Sequence, residues 1–558
     1  MKNLITFFRK FKLFPIAFLI STLFLTSNIL AQNTGLKDPT TNAAVAGGGF
    51  TNPTNAYTSD NIYATVVNGD SHRYGGFNFT IPAGVLIVGI DVQVEGNRSG
   101  TTNGRSLNVS LSWNGGTNYT STGNTGSLTG TDVVYTVGST TDTWGRGWVA
   151  SELSNANFQV RLDWANGSSG QINLDHVQAR VYYTVPTSPF AFNSSGTFPV
   201  PAGVNCMKVE AWGAGGNGGN GTYGSFSSSG PGGAGGGSGA YVIQSSFTTT
   251  PGANLTVTVG QGGGTTGSGS TPTANTSVGL IVAAGGSSGS TTAAGAGGTI
   301  ANSGGGTVTG GVNGSPNSGS SGGNGGTAPS GGTGGTGASL GNNGVDGSSP
   351  GGAAGGGGGG GGFTGNGNGG SGANGAVKLT WVDVSNFSTS ATSPICAGTS
   401  TTVTLSSTSI AAGTYNVNYT TTNPANTTNV SVNFTGTTTK TGSFTISGLT
   451  GATSVITINS VGFTSTCGSA PQSNNTSNVT VNAPTATVSN KTNISCFGAN
   501  DGTITVSASG GTSPYTFSID NGATFQVATG TNLRQFVGLL ANAAYQIKVK
   551  DTNGCISN

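Results

Sequence analysis

Residues 88–95 read Val-Gly-Ile-Asp-Val-Gln-Val-Glu, an alternation of apolar and polar side chains with a period of two. This period puts the apolar side chains on one face of an extended chain, so the stretch predicts a half-buried β-strand. The same alternation returns over 107–113, 158–164 and 177–183, with turn-forming residues between the runs. Because no helical period of useful length interrupts them, residues 33-185 are predicted to form an antiparallel, jelly-roll-like β-sandwich.

This first sandwich resembles a bacterial extracellular β-sandwich that serves chiefly as an accessory module. The resemblance rests on Asn55-Ala56-Tyr57, Phe79 to Gly84, Trp144-Gly145 and Asp175-His176. It implies the fold and says little about a ligand.

Two tryptophans in the first sandwich are candidate ligand-binding residues. Trp144 and Trp148 flank Gly145-Arg146-Gly147 in a predicted loop. Aromatic rings with polar neighbours suit the faces of sugars, so this loop is a candidate carbohydrate site. The alternative is that both rings close the end of the sandwich core.

The N-terminus has the order of a secretory signal peptide. Residues 1–12 carry four basic side chains and no acidic one, an apolar run follows to about Leu25, and a small residue stands at Ala31. The apolar run is shorter than the roughly 20 residues of a spanning helix. We therefore predict a signal peptide over 1-31 and a mature protein that is extracellular or on the outer cell surface, without a membrane span.

Charge is scarce in this chain. The sequence has 18 basic and 16 acidic residues, and four basic residues belong to the predicted leader, which leaves 14 basic residues. No basic patch remains that would attract nucleic acid or an anionic membrane. At 6% charged residues, the surface has to be polar through Thr, Ser, Asn and Gly.

A glycine-rich module is predicted over 190-383. It begins with a strand pattern at Met207, Val209 and Ala211, ends with another over 376–381, and contains eight consecutive glycines at 355–362. Glycine tracts are usually flexible linkers, because glycine loses the most backbone entropy on ordering. The tract's length and the strands that frame it favour an ordered module.

This framing resembles the glycine-rich domain of bacterial surface proteins and phage tail-fibre adhesins. The resemblance implies a bundle of polyglycine II helices, which have three residues per turn and lack side chains that would hold neighbouring helices apart. In that family the loops between helices bind receptors. A disordered linker remains the alternative.

Two further β-modules are predicted after the glycine-rich module. Residues 384-482 have the strand pattern of an Ig-like sandwich and resemble polycystic-kidney-disease-like (PKD-like) modules of secreted bacterial proteins. Residues 483-558 resemble the repeat named for the SprB gliding adhesin of Bacteroidetes, through Cys496 to Gly502, Gly510 to Phe517 and Tyr545 to Cys555. That resemblance implies a surface protein of the gliding-motility type that is exported by type IX secretion. The sequence ends shortly after Cys555 without a sorting domain, which fits either a fragment or a copy that lacks this signal.

Five cysteines in an exported chain favour disulfides. Cys396 with Cys467, and Cys496 with Cys555, each bracket one module, and we predict these two pairs. Cys206 is then left as a partly buried free thiol, with an intermolecular link as the alternative.

Catalytic motifs are missing from the sequence. There are two histidines, and no zinc-protease motif, nucleophile elbow or phosphate loop. We therefore predict that the chain is not an enzyme and needs no cofactor. Two questions stay open among the acidic residues of the first sandwich: a carboxylate pair for glycoside hydrolysis and a structural calcium with unknown ligands. These residues are Asp60, Asp70, Asp91, Glu95, Asp132, Asp163 and Asp175.

The leading hypothesis is a non-enzymatic secreted or cell-surface adhesin or structural protein. Binding is placed in the first sandwich or at the glycine-rich tips, and a surface glycan or polysaccharide is the expected partner. One alternative is the accessory N-terminal part of a longer secreted enzyme, with the sandwich as a carbohydrate-binding module. A weaker one is an ice- or surface-binding protein.

Overall fold

The computed structural model describes residues 31–46, 48–100, 104–166, 170–224, 228–262, 275–302, 305–339, 341–352, 367–541 and 544–557. In these ranges the chain is built from antiparallel β-sheets and contains no α-helix. No helix there is long and apolar enough to cross a membrane. The predicted signal peptide lies outside the described residues, apart from Ala31.

The chain packs as two compact units. One holds the residues up to Ile81 together with Leu86–Thr184, and the other holds Pro82–Val85 together with Val185–Asn558. The first unit therefore corresponds closely to the first sandwich.

The first sandwich contains ten strands and two short 3-10 turns, at Pro53–Ala56 and Ala150–Leu153. Its strands are β1 (Gln32–Asn33), β2 (Thr41–Ala46), β3 (Ala64–Val67), β4 (Ser71–Gly75), β5 (Leu86–Arg98), β6 (Ser106–Ser112), β7 (Gly123–Asn124), β8 (Val133–Gly138), β9 (Gln159–Asn166) and β10 (Gln171–Thr184). One sheet has the order β1-β10-β5-β8, with β3 on β10, and the other has the order β2-β4-β9-β6-β7. The predicted two-sheet sandwich is confirmed.

The period-two pattern explains where the core of this sandwich lies. Ile90, Val92 and Val94 of β5 are fully buried, whereas Gln93 and Glu95 lie half-buried on the opposite side of the sheet. Burying such side chains contributes about 1.5–3 kcal/mol each to folding, so the alternation fixes which face of β5 turns inward.

The described residues of the glycine-rich module also form two five-stranded sheets. Its strands are β11 (Phe190–Phe192), β12 (Gly196–Pro199), β13 (Cys206–Trp212), β14 (Tyr241–Thr248), β15 (Asn254–Thr258), β16 (Thr276–Val278), β17 (Ile281–Ala283), β18 (Ile300–Asn302), β19 (Thr307–Thr309) and β20 (Ala376–Thr380). The sheet orders are β11-β20-β13-β14-β19 and β12-β15-β16-β17-β18. Phe198, Val209 and Leu379 lie in a shared apolar core, which confirms the framing strands at both ends of the tract.

The glycine-rich segments between these strands lie side by side and are joined by hydrogen bonds at every third residue. In one such ladder the amides of Gly213, Gly216 and Gly219 donate to the carbonyls of Ala240, Gly237 and Ala234 at 2.8–2.9 Å. The close approach requires glycine, because a Cβ added to Gly237 would overlap the carbonyl oxygen of Ala296. In the described part of the tract, the segments are therefore closely packed and joined by backbone hydrogen bonds.

Side-chain oxygens add a second set of links between these segments. Asn217 and Asn220 accept from the amides of Gly372 and Gly369 at 2.9 and 2.8 Å. On the other side of residues 367–374, Asn343 and Asp346 accept from Asn368 and Ser371 at 2.8 and 2.6 Å. Each of these side chains, whether amide or carboxylate, uses its oxygen to accept from a backbone N–H group. Without that oxygen the N–H group would need water as its partner or would be buried without one.

The predicted third module, over 384-482, contains a three-stranded and a six-stranded sheet. Its strands are β21 (Phe387–Ala391), β22 (Ile395–Cys396), β23 (Thr401–Ser407), β24 (Gly413–Thr422), β25 (Ala425–Phe434), β26 (Lys440–Ile446), β27 (Thr453–Thr464), β28 (Cys467–Ser469) and β29 (Thr476–Asn482). The orders are β21-β23-β26 and β22-β29-β27-β24-β25, with β28 on β27. Val417, Phe434 and Ile456 belong to its core.

In the predicted last module, over 483-558, the described residues form two three-stranded sheets and a small core. Its strands are β30 (Thr485–Thr492), β31 (Gly502–Ser509), β32 (Thr516–Ser518), β33 (Gln526–Val527), β34 (Leu533–Leu539) and β35 (Lys548–Lys550). The orders are β30-β31-β34 and β33-β32-β35. The core centres on Val506, Phe517 and Val549.

The disulfides differ from the predicted pairs. Cys206 is bonded to Cys467 and Cys396 to Cys555, with Cα–Cα distances of 5.2 and 5.1 Å, and the free thiol is the exposed Cys496. The predicted pairs Cys396–Cys467 and Cys496–Cys555, and the predicted free Cys206, are therefore wrong.

The reason is that neighbouring modules meet where these cysteines lie. Val204 and Ser469 form an isolated β-bridge, which brings the start of β13 against β28, and the amide of Ala470 donates to Gly203 O at 2.8 Å. Cys496, in contrast, lies in the exposed connection between β30 and β31. Spacing along the sequence cannot show a contact between modules.

Candidate functional site

Acidic side chains gather on the outer face of one sheet of the first sandwich. Five of the chain's 16 acidic residues lie on or beside strands β5, β8 and β10, although only 6% of all residues are charged. We call this surface the polar face. It comprises Asp91, Gln93, Glu95 and Asn97 of β5, Asn173, His176, Gln178 and Arg180 of β10, and the adjoining Asp38, Asp132 and Asp175.

The pairing of β5 with β10 brings these side chains together. Glu95 lies opposite His176, Gln93 opposite Gln178, and Asn97 opposite Asn173. Directly opposed residues of an antiparallel pair point to the same side of the sheet. The polar face is thus the outward counterpart of the apolar alternation that forms the core.

A row of amides occupies one end of the polar face. Gln171 Nε2 donates to Asn173 Oδ1 at 2.7 Å, and Asn173 Nδ2 donates to Asn97 Oδ1 at 2.9 Å. All three side chains are half-buried. These bonds hold the row in a fixed orientation, and an amide side chain has the capacity for up to four hydrogen bonds.

Asp38 and His176 form the centre of the polar face. The segment after β1 follows β10, where the amide of Lys37 donates to Ala179 O at 2.9 Å. This places Asp38 Oδ1 2.9 Å from His176 Nε2 and 2.8 Å from Gln178 Nε2. The Asp38 side chain is 56% exposed, so the carboxylate is held in place and accessible.

Asp91 lies at the opposite end of the polar face from the amides. Its carboxylate accepts from Arg180 at 2.7 and 3.3 Å and from the Tyr182 hydroxyl at 2.8 Å. The Asp91 side chain is almost fully buried, and three donors satisfy it. This ion pair fixes the strands and neutralises the charge of Arg180.

Asp132 and Asp175 are the two carboxyls of the polar face whose pKa is raised. Burial is the main cause in both cases, and the neighbouring negative charge of Glu95 contributes in both. Tyr63 lies beside Asp132, and burial also raises the pKa of its hydroxyl. Within the ranges that the structure describes, no three His, Cys, Asp or Glu side chains are grouped so that they could hold a metal ion.

We expect Asp132→Asn to stabilise the first sandwich at neutral pH. A carboxyl whose pKa is raised in the folded state costs stability when it is ionised, and the amide removes that cost. The gain should be at most about 1 kcal/mol, because solvent screens a partly exposed charge. It should be present above the folded-state pKa and vanish as the pH falls below the unfolded value near 4.

Urea unfolding, followed by peptide-resolved hydrogen exchange in β5 and β10 at several pH values, measures this gain. Asp142→Asn is the contrasting variant, because Asp142 Oδ1 accepts from the Trp144 amide at 2.8 Å. The amide oxygen of the substituted side chain can still accept this bond but lacks the negative charge that strengthens it, so the variant should lower stability at neutral pH. An Asp132→Asn variant that is less stable at pH 7 than the unmodified protein contradicts the burial argument.

The two candidate tryptophans are core residues. Trp144 is 4% exposed and donates from Nε1 to Ile90 O at 2.9 Å, and Trp148 is 6% exposed and donates to Thr143 O at 2.9 Å. The Arg146 guanidinium stacks on the Trp148 ring at 4.6 Å from its centroid. Neither ring offers a face to a sugar, so the prediction of a binding site at Trp144 and Trp148 is corrected, and the alternative of core closure holds.

His72, the second histidine, is also a core residue. Its Nδ1 accepts from the Phe50 amide at 3.2 Å, its Nε2 lies 2.9 Å from Asn42 Oδ1, and its ring stacks on Phe50. Burial lowers the pKa of this imidazole, which favours the neutral form. His72 therefore serves the packing of the sandwich.

The comparisons with known proteins identify one segment of the last module. The family model of the SprB repeat matches residues 488–524, so the chain contains such a repeat. A search of the curated proteins gave no match. Among solved structures, the crystal structure of a tetra-tandem repeat in the extending region of a large adhesion protein covers 90% of this chain and 95% of its own, at 11% identity and a TM-score of 0.14. A TM-score of that size carries no argument about this chain.

Proposed function

We propose that the chain is a non-enzymatic surface adhesin that holds a neutral glycan on the polar face of its first sandwich. The observation that carries the proposal is the fixed, half-buried set of amides and Glu95 on β5 and β10, with the exposed Asp38 beside them, in a chain that otherwise has few charges. The SprB repeat and the disulfides support a place outside the cytoplasm.

The chemistry of the polar face favours hydroxyl-rich, uncharged partners. Amides and carboxylates accept from sugar hydroxyls, and amides also donate to them. Arg180 is neutralised by Asp91, whereas the exposed Asp38 and the half-buried Glu95 and Asp132 leave the face acidic. A polyanionic glycan or a nucleic acid is repelled by such a face.

The other modules act in this proposal as a stalk. Hydrogen bonds at every third residue and glycines that tolerate no Cβ support a polyglycine II bundle for the glycine-rich module. The third and last modules extend the stalk. Glycine-rich tips are a second place for binding, and residues 263–274 and 353–366 of the tract lie outside the described residues.

We expect the double variant Asn97→Ala, Asn173→Ala to bind a neutral insoluble polysaccharide at least tenfold more weakly than the unmodified chain. Tenfold corresponds to about 1.4 kcal/mol, the scale of one or two lost hydrogen bonds. Co-sedimentation with cellulose, chitin and agarose, together with a glycan array, measures binding. Because the partner is uncharged, binding should change little between low salt and about 0.5 M NaCl.

Asn155→Ala is the matched control, because it also removes an Asn–Asn hydrogen bond, to Asn78, at a place away from the polar face. It should bind normally. Equal binding by the double variant and the unmodified chain refutes the proposed site. Release of reducing sugar from a bound polysaccharide refutes the non-enzymatic assignment.

A further inference from the structure

The two disulfides are interleaved along the chain. Their members follow the order Cys206, Cys396, Cys467, Cys555, and the first bond joins the first and third cysteines while the second joins the second and fourth. Neither bond therefore closes a single module. Each one ties a module to the module that follows it.

We infer that the disulfides confine tension to a short path and keep the glycine-rich segments that follow Cys206 out of that path. This inference rests on the proposed function, since an adhesin bears load when its ligand and its anchor separate. Tension that reaches Cys206 passes through the first disulfide to Cys467. It is then carried by the 71 chain positions between Cys467 and Cys396, and passes through the second disulfide to Cys555.

The other two routes between Cys206 and Cys555 are longer and stay slack. From Cys467 directly to Cys555 there are 88 positions, and from Cys206 directly to Cys396 there are 190. The second of these stretches contains the glycine-rich segments. Their ladders consist of single hydrogen bonds between separate segments, each of which adds only about 1 kcal/mol, so shielding protects the part of the chain that tension would open readily.

Contacts between the modules support the same path in the folded state. Next to the first bond, Ala470 N donates to Gly203 O at 2.8 Å. Next to the second bond, Asn482 Nδ2 of the third module donates to Thr512 Oγ1 of the last module at 3.1 Å, and Asn482 O accepts from Ala397 N beside Cys396 at 2.9 Å. Each disulfide thus covalently reinforces a contact that already joins two modules.

The bonds set a sharp limit on extension. An extended chain spans at most about 3.3–3.6 Å per residue, so the 71-position path reaches about 240 Å between Cys206 and Cys555. Without disulfides the 349 positions between the same two cysteines reach about 1,200 Å. Oxidation therefore shortens this part of the stretched molecule about fivefold.

Single-molecule stretching of the full mature chain, with a handle at each end and Cys496→Ser in every protein, tests the inference. The first sandwich lies outside both bonds and provides the same unfolding step throughout. The measured quantity is the number of chain positions that span the distance between Cys206 and Cys555 when the chain is fully extended. We expect 71 positions with both bonds, 88 in Cys396→Ser, 190 in Cys206→Ser and 349 after reduction.

An oxidised chain that releases 190 positions or more between these two cysteines overturns the inference, because the glycine-rich segments between Cys206 and Cys396 would then lie in the path. Where a serine variant does not fold, the comparison of the same molecules before and after adding a reductant gives the deciding lengths. No glycan takes part in the measurement, so its outcome is independent of the binding test of the proposed function.

Discussion

Replacing Gly237 by alanine is expected to disrupt the packed glycine-rich segments. Gly237 donates from its amide to Ser287 O at 2.9 Å and accepts from Gly216, and an added Cβ would overlap the carbonyl oxygen of Ala296. The overlap is with the backbone of a neighbouring segment, which cannot rotate away as a side chain can. We expect a loss above about 3 kcal/mol, beyond the usual cost of overpacking.

Hydrogen exchange of the amides of 213–240 in the full chain measures this effect, because their ladder bonds slow exchange only while the segments remain packed. Gly310→Ala is the matched control in the same module. A Cβ there meets its nearest atom, Gly298 O, at 3.7 Å, an ordinary contact distance. Slow exchange retained in the Gly237→Ala variant contradicts the packed arrangement.

Trp144→Ala is expected to destabilise the first sandwich by about 3–5 kcal/mol, the usual loss for truncating a buried tryptophan. The ring fills a space beside Gly123 and Gly138, and its indole N–H bonds to Ile90 O at 2.9 Å. Its backbone has a φ of 57°, in the left-handed region, where the substituted residue must remain. The variant therefore loses both packing and a buried hydrogen bond.

Urea unfolding of the full chain, resolved by hydrogen exchange in β5 and β6, reports this loss. Trp144→Phe keeps most of the ring volume and loses the indole donor, so its cost should be smaller, about 1–2 kcal/mol. If Trp144→Ala keeps the stability of the unmodified chain and loses only polysaccharide binding, the ring is a binding residue and the structural assignment fails.

The strands of the first sandwich could be predicted because each one carries its own signal. In β5 the buried Ile90, Val92 and Val94 alternate with polar residues, and the apolar transfer energy makes one face turn inward. The same alternation predicts part of the polar face. Glu95 and Asn97 occupy the outward positions of that alternation, but the strand that pairs with β5 is set by tertiary structure.

Other features depend on contacts that sequence spacing does not encode. Asp38 reaches His176 because the N-terminal segment follows β10, and nothing near Asp38 in the sequence indicates this. The disulfides follow the contacts between modules, so a scheme based on loops within modules gave the wrong partners for Cys396 and Cys467. Trp144 and Trp148 flank a glycine-rich turn, a pattern that suits a binding loop and a core closure equally.

The side-chain acceptors of the glycine-rich module affect how the protein responds to asparagine deamidation. Asn217, Asn220 and Asn343 each precede glycine, a pair that loses ammonia when the glycine nitrogen attacks the side-chain amide. The amides of Gly218, Gly221 and Gly344 are bound to the carbonyls of other segments at 2.8–3.1 Å, which opposes that attack. Asp346 shows that a carboxylate serves equally well as an acceptor. Deamidation to aspartate would therefore keep these side-chain acceptors in place.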